Sequence, residues 1–290
     1  MKTKLLLILC IIALTLPLST LALSDTEPGD IMASLIRKIP LRSDHSLTGS
    51  QFAARIFGLD KNLREEAIEK QLDSGNLPDF LRKLKPVRFS HHSAAGITEL
   101  TIFVMPDYLA VGSNEDFLLV PMSLRTALAV AARFGFILPT RKIVDAIFGQ
   151  SAFHLTPQPL PAGPRMRSTA YYETHNQKIA RQRLALCFTP GELISGHKKD
   201  VVVSNHLNHR EGKIAICGWH RRSGDPIQPL STIHGANYAD YSHGIRLISD
   251  VVLLNGQPRS IYEILEDPKL APLLSDEGPL GRIRDLMARR

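Results

Sequence analysis

The chain is poor in cysteine, in aromatic residues and in long apolar runs, and each shortage closes off a class of protein. Three cysteines in 290 residues are too few for a small disulfide-stapled scaffold. Beyond the N-terminus no stretch approaches the roughly 20 apolar residues that a membrane-crossing helix requires, so no transmembrane segment is expected in the mature protein. No zinc-finger spacing occurs, and no basic run is interleaved with aromatics, which argues against nucleic acid as a partner. His-Glu-x-x-His, His-x-His and Gly-x-Ser-x-Gly are all missing, so none of the commonest hydrolase signatures is present. No internal repeat is found.

The N-terminus carries the three parts of a secretory signal. Lys2 and Lys4 precede the apolar stretch Leu5 to Leu16, which Pro17 ends, and Thr20-Leu21-Ala22 supplies small residues for cleavage. The apolar stretch is about 12 residues, short of a membrane span. Residues 1–22 therefore read as a cleavable signal peptide, and the mature protein is expected to be secreted or periplasmic. About 268 residues remain, enough for one large domain or two small ones. Loss of the two lysines lowers the formal net charge from +7 to about +5. That modest basic excess suits an anionic polymer as well as simple solubility. Cys187 and Cys217 are left as an even pair, which allows a single disulfide closing a loop of about 30 residues. Two unlinked thiols, or a reactive Cys217, fit the sequence too.

Capping residues and periodicity divide the chain. Thr48 or Ser50 is placed to cap a helix through Phe57, Asp60 one over 62–72, and Ser123 one over 122–134. Further helices are expected over 141–148 and 171–186, and three short ones close the chain. His91-His92 reads as a solvated loop. Leu100 to Val104, Val201 to Ser204, Ile214 to Cys217, Gly244 to Ile248 and Val251 to Leu254 read as strands, with Asn255-Gly256 as a tight hairpin turn. The expected fold is α+β, with a helical N-terminal half and a C-terminal mixed, mainly antiparallel sheet. The expected division is a mainly helical part (23–156), a proline-rich connection (157–170) and an α+β part (171–290), or else one integrated domain.

Histidine is the informative residue. Six of the 11 histidines fall between His197 and His243, where an even spread would place about two. Histidine serves proton transfer and metal ligation near neutral pH, so this window is the candidate site. His220, His243, Asp240 and Ser242 are the candidate catalytic residues, and Lys198, Lys199, Trp219, Tyr241 and Arg246 the candidate binding residues. His197, Asp200 and His234 are candidate ligands for a zinc ion. Three chemistries use these residues: metal-assisted hydrolysis, nucleophilic attack by Ser242 or Cys217 with a histidine base, and acid–base work by Asp200 and Asp240 on a glycan. A packed tryptophan, a capping histidine or a solvated charged turn explains each segment without chemistry.

Ile233-His234-Gly235, then Ser242-His243-Gly244, then Ile245-Arg246-Leu247 resembles the signature of the L,D-transpeptidases, secreted enzymes that crosslink peptidoglycan through a cysteine thiolate. The resemblance spans residues 233–247. In that family a cysteine stands between the glycine and the Ile-Arg pair, whereas here Gly244 runs directly into Ile245. The interval from His234 to Ser242 is also shorter. The transpeptidase mechanism cannot operate through a motif without its nucleophile, but the likeness implies an envelope polymer as substrate. The expectation is an exported His/Asp-based hydrolase of a cell-envelope or extracellular polymer. The alternative is a non-catalytic protein that binds glycan or an anionic polymer.

Overall fold

The computed structural model describes residues 35–93 and 96–288; the signal segment lies outside them. After a single 3-10 turn at Ile36–Lys38, helix α1 (Gly49–Ile56) opens on a reciprocal capping box. Thr48 Oγ1 accepts from the Gln51 amide, and the Gln51 side chain accepts from the Thr48 amide. Asp60 caps α2 (Lys61–Asp73) by accepting from the Asn62 and Leu63 amides. Strands β1 (Lys85–Ser93) and β2 (Gly96–Val104) form an antiparallel pair, followed by the ribbon β3 (Ala110–Gly112) and β4 (Phe117–Leu119). Ser123 starts α3 (Leu124–Phe134), and Gly135, at φ 77°, ends it in the left-handed conformation that favours glycine.

Next come β5 (Phe136–Ile137), α4 (Arg141–Gln150), β6 (Phe153–His154), α5 (Thr169–Ala185), β7 (Ile194–Ser195) and β8 (Lys199–Val202). The remaining strands are β9 (Ala215–His220), β10 (Pro226–Ser231), β11 (His243–Gly244), β12 (Ile248–Ser249), β13 (Val251–Leu254) and β14 (Gln257–Ser260). Helices α6 (Ile261–Glu266), α7 (Ala271–Leu274) and α8 (Ile283–Ala288) close the chain. Asn255 and Gly256 join β13 to β14 with φ of 49° and 78°, the two positive values that a two-residue hairpin turn needs.

The fold is mixed α and β with mainly antiparallel sheets, but the N-terminal half is not helical. Among the described residues six strands precede residue 157, and helices are spread along the chain. The expectation failed chiefly at β1. Its sequence offers only Val87 and Phe89 as alternating apolar residues among polar ones. It is a strand because all nine positions pair with β2, and Val87 is fully buried beneath. His91 and His92 are exposed, as a solvated segment requires, but they lie on that strand.

Two larger sheets organise the molecule. In the first, the order β14-β13-β2-β12-β5, with β1 also on β2, draws strands from both sides of the proline-rich stretch. The second runs β10-β9-β8-β11, with β11 parallel to β8 and the other pairs antiparallel. Residues 245–247 link them: the Met105 amide donates to the Leu247 carbonyl and the Leu109 amide to that of Ile245. Buried apolar side chains from Leu35 to Met287 form one contiguous cluster. Among the described residues no helix is long and apolar enough to cross a membrane. Cys187 is exposed and Cys217 buried, and both are free thiols, so the disulfide that the sequence allows does not form.

Candidate functional site

The second sheet brings the histidine-rich window together. Lys199 on β8 lies opposite His243 on β11 and Gly218 on β9, and Asp200 lies opposite Gly244 and Cys217. Directly opposed residues share a face. Lys199 and His243 therefore belong to one face, and Asp200 and Cys217 to the other. Position 244 must be glycine, because a Cβ there would sit 2.6 Å from the Tyr108 ring and 2.7 Å from Lys198 Cβ.

On the first face a turn is fixed by Asp240. Its Oδ1 accepts from the Ser242 amide (2.8 Å) and hydroxyl (2.6 Å), and its Oδ2 accepts from the Tyr238 hydroxyl (2.9 Å). The Tyr238 ring lies flat on that of His234, with centroids 4.1 Å apart and planes 8° from parallel. His243 sits behind this stack, its ring centroid 5.7 Å from that of Tyr238 and 6.4 Å from that of His234. His243 is 1% exposed and neither ring nitrogen has a hydrogen-bond partner. Burial lowers its pKa to about 4 against the opposing pull of Asp240, so the ring is neutral at physiological pH. Burial raises the Asp240 carboxyl, but His243, the two Ser242 bonds and Lys199 outweigh it and keep the group below the usual carboxylate range. His234 is half-buried; burial lowers its pKa, Asp240 raises it, and Lys199 and Lys213 lower it further. The Lys199 ammonium lies 5.1 Å from the Trp219 ring centroid, within cation–π reach.

Beneath the sheet runs a set of buried charges. Arg183 on α5 pairs with Asp107, which also accepts from His197 Nε2 at 3.1 Å. Burial raises the Asp107 carboxyl, but Arg183 and His197 overcome it and hold the group well below the ordinary range. Burial lowers His197 to about 4. Arg246 is fully buried over the Tyr108 ring and donates to the Met105 (2.9 Å) and Ile194 (2.7 Å) carbonyls. Tyr108 donates to Asp200, whose carboxyl burial raises to about 6. Lys198 donates to the Tyr241 carbonyl, and burial lowers its ammonium to about 7. His175 on α5 is fully buried, with its ring centroid 5.0 Å from that of Tyr241 and both nitrogens unpartnered; burial holds it far below the usual histidine range.

The sequence-based candidates thus separate into groups. His234, His243, Asp240, Lys199 and Trp219 do come together. Ser242 is 0% exposed, and its hydroxyl is committed to Asp240, so it shapes the turn rather than meeting a substrate. Three candidate binding residues are interior. Arg246 and Lys198 satisfy backbone carbonyls, while the Tyr241 hydroxyl accepts from the Leu160 amide at 2.7 Å. His220 belongs to a different group, with Nε2 2.9 Å from Asp145 Oδ1 on α4 and its ring stacked on Phe148. His197, Asp200 and His234 do not form a ligand set, since the first is tied to Asp107, the second to Tyr108 and the third to the Tyr238 ring. Among the described residues no group of three or more His, Cys, Asp or Glu side chains is placed to hold a metal ion. Asp145 and Arg183 carried no signal in the sequence beyond lying in expected helices.

No protein-family model, no curated protein and no solved structure matches the chain. The transpeptidase likeness therefore rests on residues 233–247 alone, and within them Ile245, which follows Gly244 directly where that family interposes its cysteine, is fully buried.

Proposed function

We propose that this protein is an exported hydrolase of a cell-envelope or extracellular polymer, with His234 as its proton-transfer group. One observation carries the reading: a half-exposed, neutral imidazole lies flat on Tyr238, whose hydroxyl is bonded to the carboxylate of Asp240, with the unpartnered His243 ring buried behind. A fully buried imidazole without a partner is unusual and demands a reason. Kept neutral there, the His243 ring leaves the negative charge of Asp240 to act on His234.

In the proposed step a water oxygen attacks the electrophilic carbon of the linkage and its proton passes to His234. The bond to the leaving oxygen or nitrogen breaks, and that atom takes the proton back from His234. Asp240 stabilises the transient imidazolium, with His243 as the neutral neighbour that leaves this charge uncontested. Lys199, held over Trp219, offers positive charge to the oxyanion that develops on the attacked group. Export rests on Lys2, Lys4, the apolar run and Thr20-Leu21-Ala22, and an envelope polymer on the 233–247 resemblance.

The flat His234–Tyr238 pair and the Lys199–Trp219 contact equally suit stacking on a sugar ring and pairing with an anion, which is the binding-protein reading. His234→Asn separates the two. Turnover of purified peptidoglycan, acidic polysaccharide or an ester panel should fall at least about a hundredfold, with binding of the polymer retained. Saturable binding without turnover by the unaltered protein would overturn the hydrolase. N-terminal sequencing of the exported protein should begin at Leu23.

A further inference from the structure

Away from the histidine group, a pocket of about 230 Å3 opens at the start of α3. Its floor is apolar. Leu124 and Leu128, one turn apart and so on one face of the helix, line it together with Leu207 from the 3-10 turn Asn205–His209 and Leu286 from α8. All four leucines are buried. Backbone bonds fix the wall: the Leu124 amide donates to the Ala236 carbonyl at 3.0 Å, and the Ala236 amide to that of Gly212 at 2.7 Å.

The rim is cationic. Arg125, Arg210 and Lys213 line the pocket and no carboxylate does. Among the described residues none of the three cations forms an ion pair. Arg210 Nη1 donates to Thr232 Oγ1 at 3.1 Å, and Lys213 Nζ to the Ile233 carbonyl at 2.9 Å. Those neutral bonds steady both side chains and use one hydrogen of each, out of five on a guanidinium and three on an ammonium. Arg125 occupies the second position of α3, where the helix dipole opposes a positive charge and favours a negative one. An oxyanion among the three side chains answers both the unpaired cations and the helix end.

We infer that this pocket binds a short apolar chain or ring that ends in an oxyanion, with the apolar part on the four leucines and the head group on Arg125, Arg210 and Lys213. The pocket exceeds the cavity of about 150 Å3 that takes benzene and falls short of the roughly 300 Å3 at which drug-sized sites begin. The apolar part is therefore held to about six to nine carbons. A guanidinium fork accepts carboxylate and phosphate alike, so the probes carry one of each. His234 does not line the pocket, and binding here needs no chemistry from it.

The test is a calorimetric titration of the unaltered protein with octanoate and octyl phosphate, against octanol and octylammonium of the same chain length, all below their micelle concentrations. One site per chain for at least one of the oxyanions is expected, with octanol at least about tenfold weaker and octylammonium unbound. Arg125→Gln combined with Arg210→Gln, both at exposed positions, should weaken the oxyanion at least about tenfold. Ala236→Leu adds three carbons at the wall and should abolish binding; should it fail to fold, the double arginine variant carries the comparison. Equal affinity for octanol and the oxyanions, no saturable binding of either oxyanion, or unaltered binding in the arginine variant overturns the inference. The readout involves no turnover, so failure of the His234 reading leaves this result standing.

Discussion

Tyr108 donates its hydroxyl hydrogen to Asp200 at 2.9 Å, joining the loop after β2 to the central strand of the second sheet across 92 residues of sequence. The bond satisfies a carboxylate that is 3% exposed and whose nearest cation, Arg246 Nε, is 4.0 Å away. Tyr108→Phe deletes the donor and leaves Asp200 oxygen short of a partner. A loss of about 1–3 kcal/mol in a urea titration is expected, with turnover at the His234 face unchanged per folded molecule. An unaltered midpoint would mean that Asp200 is already protonated and needs no donor.

Arg246 provides the contrasting case. The sequence presents it as a binding residue, but it is fully buried with its guanidinium spread between two backbone carbonyls and the Tyr108 ring. Lysine cannot reproduce that fork. Arg246→Lys should cost about 2–4 kcal/mol, since it strands buried carbonyls and Asp200, and polymer affinity of the folded fraction should not change. Weaker polymer binding at unchanged stability would return Arg246 to the surface role.

Much of the secondary structure was legible because caps and turn residues act locally. Thr48, Asp60, Ser123 and the Asn255-Gly256 turn each do what their side chains or backbone freedom dictate. The histidine window was legible as a concentration, and the sheet does gather it. What could not be read is which members face a partner. Lysine and arginine are taken as solvent-facing by default, yet Lys198, Arg183 and Arg246 are buried here by pairings with no local trace. Asp107–Arg183 spans 76 residues and Asp145–His220 spans 75, and neither leaves a periodic pattern. Strand β1 was missed for a related reason: its pairing partner, rather than its own alternation, decides its conformation.

Stability should fall in acid well before carboxylates are generally lost. His197 and His243 have folded-state pKa values of about 4, below the unfolded value near 6.5. The unfolded chain therefore binds more protons between those limits, and stability rises with pH across them. Asp200 works the other way: its folded value of about 6 lies above the unfolded 3.9, so its contribution favours the fold at low pH and is lost as pH rises through 6. His175, held further down by burial, adds in the same direction, so at pH 5 the buried histidines outweigh the one carboxyl, for a net loss of about 2–4 kcal/mol relative to pH 7. A melting temperature several degrees lower at pH 5 is expected. His197→Gln should flatten the slope, and a flat profile in the unaltered protein would show the two imidazoles to be charged when folded.

The pH dependence of turnover tests the roles of the two charges flanking His234. Burial lowers the His234 pKa first, Asp240 raises it, and Lys199 lowers it further. As a general base the ring works when neutral, so kcat/KM should fall on the acid side with an apparent pKa below 6.5. Asp240→Asn removes a negative charge that favours the imidazolium, and the acid limb should move to lower pH. Lys199→Met removes a positive charge that opposes it, and the limb should move to higher pH. The two shifts are opposite in sign although both variants are expected to be slower, which distinguishes an electrostatic role from general damage to the site. Movement of both limbs in the same direction would place the titrating base elsewhere, and His220 on the other face would then be the group to replace next.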